Sequence, residues 1–262
     1  MSTALADARP EVVYHLAALS SVGRSWDEPA RTLADNVSGA INLLEGIRHQ
    51  APDARVVWVS TCEVYGGPET LPIAEAAPLR PANPYAVSKA AGEMLASVYA
   101  DAHGLDLVIA RPFSHSGPGQ RPIFLLSSLA RQAAEGRRAG ASRLRIVTGN
   151  PETRRDFTDV RDVIDAYRRL AAPGPAGAYN VSSGRSVSAA EQVRLLAEVI
   201  APIEIEHVVD PSRVRAHEVM DLRGDPARLS ADTGWEPRIP LRQTMADAID
   251  WWEDQLAAGA PG

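Results

Sequence analysis

Tyr85 and Lys89 stand four residues apart in the run Pro84-Tyr85-Ala86-Val87-Ser88-Lys89, so on a helix they share one face, a turn from each other. A phenol with an ordinary pKa near ~10 is a poor acid or base at neutral pH unless its anion is stabilised. A lysine ammonium one turn away stabilises it electrostatically. The spacing alone is common, and an exposed helical pair is its plain alternative. Three further features point to a site. The apolar run Arg55 to Val59 leads straight into Ser60-Thr61-Cys62-Glu63-Val64-Tyr65-Gly66, which puts hydroxyl and acidic groups just past the carboxyl end of a strand, where ligands sit in open α/β sheets. Pro84 suits a first helical position, which predicts Tyr85 in an exposed opening turn. Arg111-Pro112-Phe113-Ser114-His115-Ser116-Gly117-Pro118-Gly119-Gln120 is a polar, glycine-rich loop after the next apolar run.

The elements that must position these groups alternate. Short β-branched runs, Val12 to Leu16, Arg55 to Val59 and Leu107 to Arg111, are separated by segments of helical period, the pattern of a parallel sheet covered by helices with right-handed crossovers. Trp26 to Gln50 predicts one helix with Leu33, Val37, Ile41, Leu44 and Ile47 as its apolar face; Pro84 to His103 predicts another, ending near Gly104. Beyond Arg111 the texture predicts helices over Phe124 to Glu135, Asp162 to Ala172, Ser188 to Ile200 and Leu241 to Leu256, with strands over Leu144 to Thr148, Ala178 to Val181 and Ile203 to Val209. The fold class is therefore α/β, a doubly wound parallel sheet with a smaller C-terminal lobe.

Composition narrows the function classes. With 262 residues, 45% hydrophobic and 23% charged, the chain has the apolar content for a sizeable core. A net charge of −6 argues against nucleic acid as the main partner, because phosphate neutralisation needs a basic face. The single cysteine, Cys62, excludes an intramolecular disulfide and any multi-cysteine metal site, and fits a reducing, cytoplasmic compartment. No stretch approaches ~20 apolar residues and the start lacks the order of a signal peptide, so neither membrane spanning nor export is expected.

His15-Leu16-Ala17-Ala18, the S-T-x-E-V-Y-G segment, the Y-x-x-x-K pair and the R-P-F-x-H-x-G-P-G-Q loop together resemble the NAD-dependent epimerase/dehydratase family, of the extended short-chain dehydrogenase type, from about Pro10 to the final helix. The resemblance implies a Rossmann-like sheet and NAD or NADP as cofactor. It makes residues 1–115 what remains of a dinucleotide-binding domain and 116–262 mainly a substrate lobe, with segments returning to the sheet. Tyr85 becomes the acid/base, Lys89 its orienting partner and a holder of the nicotinamide ribose, and Thr61 the hydrogen-bond partner of a sugar O4, for hydride passage between sugar C4 and the nicotinamide. Leu16, Ala17 and Ala18 would line the adenosine and ribose side. Glu63 matches the base that takes the C5 proton in members that dehydrate a 4-keto sugar. Their preceding residue is usually Asp or Ser, able to protonate the departing C6 hydroxyl, and here it is Cys62. A thiol near ~8.5 fits that role less well, which moves the expectation from dehydration toward reduction; a small buried side chain is the plain alternative.

Leu19 to Trp26, Arg154 to Val163 and Tyr179 to Gly184 resemble enzymes acting on GDP-mannose and its 4-keto-6-deoxy product. The implied order of activities is reduction of that keto product, then 4,6-dehydration of GDP-mannose, then 4-epimerisation; an inactive sugar-nucleotide-binding relic is the alternative of a different class. Ser20, Thr61, Ser114, Arg155, Arg215 and Glu218 are the implied substrate contacts, the two arginines on the diphosphate and Glu218 on the nucleotide ribose. Ser114 stands where relatives usually have Asn. Arg154 and Arg161 are expected in surface ion pairs, His115 in a structural role, and Asp221 to Pro237 as a helix docked onto the lobe with Trp235 as its plug. A homodimer through a four-helix bundle is implied, with Leu33 to Ile47 and Ala86 to Ala100 as candidates. Relatives begin with a strand running into a G-x-x-G-x-x-G turn. None precedes Pro10, and the expectation is a native enzyme that starts upstream by about 60 residues, two strand-helix units, with an unpaired edge at Val12 to Leu16.

Overall fold

The computed structural model describes residues 2–214 and 219–259. In chain order they form α1 (Ser2–Ala8), β1 (Val12–His15), α2 (Val22–Asp27), α3 (Pro29–Gln50), β2 (Arg55–Val59), α4 (Pro84–His103), β3 (Leu107–Pro112) and β4 (Ser114–Ser116). There follow α5 (Leu125–Arg138), β5 (Arg143–Thr148), β6 (Arg154–Asp159), α6 (Val160–Leu170), β7 (Gly177–Val181), β8 (Ser186–Ser188) and α7 (Ala189–Ile200). The chain closes with β9 (Glu204–Val209), β10 (Asp221–Leu222), α8 (Ala227–Thr233) and α9 (Leu241–Ala257). Two compact units result, residues 1–113, 164–181 and 224–235 in one, and 114–163, 182–223 and 236–262 in the other.

The first unit is a parallel sheet of order β1-β2-β3-β7. Register runs Val12 beside Arg55, Val56 beside Leu107 and Val108 beside Gly177. β2 and β3 are buried at every position, as continuous apolar runs with both faces covered should be. On one face Val56, Trp58, Leu107 and Ile109 pack with Ala40, Leu43, Leu44 and Ile47 of α3 and Ala96 of α4. Leu5 of α1 joins the same cluster. Among the described residues β1 is hydrogen-bonded to β2 alone, and Leu16 just beyond it is 58% exposed.

Three expectations are corrected in this unit. The helix expected over Trp26 to Gln50 is two, α2 and α3, broken at Glu28-Pro29. Proline pushes its predecessor out of the helical region, and Glu28 lies at φ −128°, ψ 57°. The buried face of α3 is Thr32, Asn36, Ala40, Leu43, Leu44 and Ile47, rotated from the expected one; Leu33 and Val37 are half-buried and Ile41 is exposed. The helix expected to dock onto the lobe, α8, belongs to the first unit, where it packs beside β7 with Trp235 fully buried.

The second unit holds a small sheet, β10-β6-β4 with β8 antiparallel to β6, and a separate parallel pair, β5 with β9. Its core is Leu126, Leu129, Ile146, Leu196, Met245 and Ile249, contributed by α5, β5, α7 and α9. Ser188 and Glu191 form a reciprocal capping box that starts α7. β4, β6, β8 and β10 carry no apolar alternation, since β6 reads Arg-Arg-Asp-Phe-Thr-Asp, and they escape pattern reading for that reason. No described helix is long and apolar enough to cross a membrane.

Candidate active site

The site grows from the carboxyl end of β2. Thr61 is extended (φ −164°, ψ 153°) and its Oγ1 accepts the Glu63 backbone N–H at 3.3 Å, capping the single 3-10 turn Cys62–Tyr65. Across from it α4 begins at Asn83, whose Oδ1 accepts the Ala86 N–H at 2.8 Å while its Nδ2 donates to the Glu63 carboxylate at 3.0 Å. Pro84 then occupies the first helical position, where a missing N–H costs nothing. Thus one side chain fixes both the acidic residue and the opening turn that carries Tyr85.

Tyr85 hydrogen-bonds to Thr61, and it is buried rather than exposed. Its position in the opening turn is as expected; its exposure is not, because the phenol lies against Thr61 with Tyr167 nearby. Burial pushes the phenol's pKa up, the hydrogen bond from Thr61 pulls it down, and the neighbouring Cys62 and Glu63 raise it further. The group is therefore held protonated. One turn on, Lys89 Nζ donates to the Val59 carbonyl at 2.6 Å, and burial lowers its pKa to about 8 against the opposing pull of Glu93. Cys62 is buried between the two catalytic candidates Thr61 and Glu63.

Behind Lys89 a small pocket is lined by His15, Ala17, Ala18, Asn36, Trp58, Ser88 and Lys89. His15 lies tilted against Trp58 with ring centroids 4.3 Å apart, and burial, then the Lys89 charge, lowers its pKa to about 4. Asn36 grips the segment after β1 by taking the Leu19 N–H at 2.7 Å and donating to the Leu19 carbonyl at 3.2 Å, and it reaches Ser88 at 2.8 Å. Ala17 and Ala18 line this pocket together with the lysine, Ala18 half-buried and Ala17 exposed, and Leu16 and Ser20 are exposed beside it.

A buried polar layer supports α4 from below. Arg111 is bidentate to Glu93, ion-paired through Nη2 and bonded through Nε at 3.1 and 3.2 Å, and its Nη1 donates to the Tyr65 hydroxyl (2.8 Å) and the Glu75 carbonyl (2.9 Å). Tyr65 donates to Asn180 Oδ1 at 2.7 Å, and burial raises its pKa to about 12. Sequence reading missed Asn36, Asn83, Ser88, Glu93 and Arg111 as parts of the site. Asn83 did carry a signal, being Asn directly before Pro at a helix start. Asn36 carried one only in the corrected face of α3, as a lone amide within an apolar stripe.

In the second unit Ser114 lies on β4 opposite Phe157, half-buried. Arg155 Nη1 donates to the carbonyls of Arg154 (2.7 Å) and Val219 (2.9 Å). Arg154 pairs with Glu191 at 3.0 Å, and Arg161 with Asp159 at 2.8 Å and Asp247 at 2.6 Å. Arg215 and Glu218 lie outside the described residues.

The arrangement can do one thing well: deliver a proton from a buried, protonated phenol to an oxygen that Thr61 also reaches, with a lysine to stabilise the phenolate left behind. Comparisons with known proteins identify the family. The family model of GDP-mannose 4,6 dehydratase matches residues 1–248. The GDP-6-deoxy-D-mannose reductase of Pseudomonas aeruginosa is 40% identical over 94% of this chain and 82% of that enzyme. A UDP-glucose 4-epimerase of Mycolicibacterium smegmatis is 34% identical over 96% of this chain and 79% of its own length. The structure of RMD from Pseudomonas aeruginosa, complexed with NADPH, superposes with a TM-score of 0.88 at 37% identity, over 97% of this chain and 86% of that one. The chain belongs to the GDP-mannose 4,6 dehydratase family, within the extended short-chain dehydrogenases, the NAD(P)-dependent enzymes of nucleotide sugars.

Proposed function

We propose that this chain reduces the C4 ketone of GDP-4-dehydro-6-deoxy-D-mannose, using NADH or NADPH. Thr61, Tyr85 and Lys89 serve reductases, dehydratases and epimerases alike, so they do not decide. The observation that carries the choice is Cys62: in a dehydrating site this position offers an acid for the departing C6 hydroxyl, and here it offers a buried thiol. The 40% identity to a GDP-6-deoxy-D-mannose reductase supports the same reading.

The residues present fit the nicotinamide end of the cofactor. Small Ala17 and Ala18 leave room beside Lys89, and the buried Ser60 hydroxyl has no partner among the described residues. The dihydronicotinamide, when bound, supplies hydride to the sugar C4. Tyr85 gives its O–H proton to the developing O4 alkoxide, Thr61 holds that oxygen by hydrogen bond, and the Lys89 ammonium stabilises the resulting phenolate until solvent restores the proton. Glu63, tethered to Asn83, is not needed for these steps. On the substrate side, Ser20, Ser114, Arg155, Arg215 and Glu218 are proposed contacts, the arginines on the diphosphate.

Supplied with the 4-keto-6-deoxy nucleotide sugar and either reduced cofactor, the enzyme is expected to oxidise the cofactor stoichiometrically and release a GDP-6-deoxyhexose; GDP-mannose with the oxidised cofactor is expected to give no keto product. Accumulation of a 4-keto sugar from GDP-mannose would restore the dehydratase reading.

The proposed assembly is a homodimer through α3 and α4, in a cytoplasmic setting that accords with the lone thiol. Met94 and Val98, one turn apart on α4, are 64% and 60% exposed, and Ile41 of α3 and Val87 are also exposed. Met94→Glu is expected to shift sedimentation from dimer to monomer; a variant that still sediments as a dimer excludes this face.

A further inference from the structure

Within the first unit, two buried side-chain polar atoms lack a hydrogen-bond partner among the described residues: Arg48 Nε on α3, and Ser60 Oγ. Arg48 is on the helix surface and its other nitrogen is paired with Glu45. Ser60 is different. It is 2% exposed and stands at the carboxyl end of β2, its N–H still in the sheet as donor to the Ala110 carbonyl at 2.7 Å. A hydroxyl that has left water without a partner is costly, and native proteins keep few of them. The two residues flanking it are both engaged by α4: the Val59 carbonyl holds Lys89, and Thr61 holds Tyr85. By the alternation of β2, Ser60 follows Val56 and Trp58, which face α3 and α4. Its hydroxyl is thus on the side of the sheet from which the lysine arrives, while Thr61, the next residue, serves the phenol.

We infer that Ser60 is a cofactor-binding residue, its hydroxyl held unpaired in the protein to hydrogen-bond the carboxamide or ribose hydroxyl at the nicotinamide end of NAD(P)H. A hydroxyl is both donor and acceptor, so it suits either neutral group and discriminates against neither oxidation state. The inference rests on the cofactor reading above, and deepens it by assigning a contact to a residue outside the Thr61, Tyr85, Lys89 set.

The test is titration of the full chain with NADH and NADPH, followed by nucleotide fluorescence, for the unsubstituted protein and for Ser60→Ala and Ser60→Cys, beside a calorimetric titration with GDP-mannose. Ser60→Ala is expected to raise the cofactor Kd about fivefold to tenfold, as for loss of one hydrogen bond, with GDP-mannose affinity unchanged. The nucleotide-free variant is expected to melt within about 2 °C of the parent or higher, because the lost hydroxyl had no partner to lose. Ser60→Cys, of similar size but a weak donor, is expected to follow Ser60→Ala. Unchanged cofactor affinity in both variants overturns the inference alone. A melting temperature lowered by more than about 4 °C overturns it too, since the hydroxyl would then be satisfied without ligand. Weakened GDP-mannose binding with intact cofactor binding reassigns Ser60 to the sugar and overturns it likewise. Failure of the unsubstituted chain to bind either nucleotide counts against the cofactor reading itself.

Discussion

Tyr85→Phe is expected to lower kcat for the reduction by about 10²- to 10⁴-fold, the range for losing a positioned general acid, while the dissociation constant for the nucleotide sugar moves little. The variant keeps the ring that packs near Tyr167 and removes only the hydroxyl bonded to Thr61. Pre-steady-state hydride transfer and equilibrium binding of GDP separate the two effects. Turnover within a factor of about three of the parent would take Tyr85 out of the acid role. The same chemistry sets a pH profile. Lys89 is held at about 8 by burial, so its ammonium is present below that pH and lost above it. kcat/KM for the reduction is therefore expected to fall as pH rises through about 8, since a neutral amine no longer stabilises the phenolate. Lys89→Met is expected to be slow at every pH and to lose that descending limb; a limb that survives the substitution belongs to another group.

The second large effect concerns folding. Arg111→Leu is expected to cost about 3–5 kcal/mol of stability, the range for breaking a buried ion pair from one side. The change leaves the Glu93 carboxylate buried without its bidentate partner and deprives the Tyr65 hydroxyl and the Glu75 carbonyl of a donor. Arg111→Lys is expected to rescue only part of it, because an ammonium cannot reproduce the planar fork that engages the carboxylate and the phenol together. Glu93→Leu combined with Arg111→Leu is expected to regain stability over Arg111→Leu alone, as apolar replacement of both partners removes the uncompensated charge. Urea midpoints with unchanged slopes measure these differences. A loss below about 1 kcal/mol for Arg111→Leu would show the pair to be structurally idle.

How much of this was legible beforehand depended on whether a residue's partner was local. The strands over Arg55 to Val59 and Leu107 to Arg111 and the helix from Pro84 to His103 were readable because apolar runs, a proline at a first position and a left-handed glycine cap are signals within the segment itself. Tyr85 and Lys89 were readable for the same reason: their relation is one helical turn. The break at Glu28-Pro29 was also a local signal, passed over because the expected helix was begun at Trp26, ahead of the proline, while its apolar face starts only at Leu33. Glu93, Arg111 and Asn180 were not readable as a network, because Glu93 meets Arg111 only once α4 packs on β3, and Asn180 joins through Tyr65 only once β7 pairs with β3. β6 was missed outright: its charged residues read as loop, yet Asp156 is fully buried, bonded to the Ser183 and Gly184 N–H groups. Polarity on a strand is unreadable when the fold supplies the partners.

Asn83 ties two distances to one amide group. Its carbonyl oxygen anchors the first turn of α4 and its NH2 anchors the Glu63 carboxylate, so thermal displacement of the helix start drags the acidic turn in the same direction. Displacements of the Tyr85 turn and of Glu63 are expected to be coupled through these two hydrogen bonds. Asn83 thereby sets the spacing between the Tyr85 turn and the Glu63 turn through one amide group, a constraint on a difference that does not require either segment to be rigid by itself.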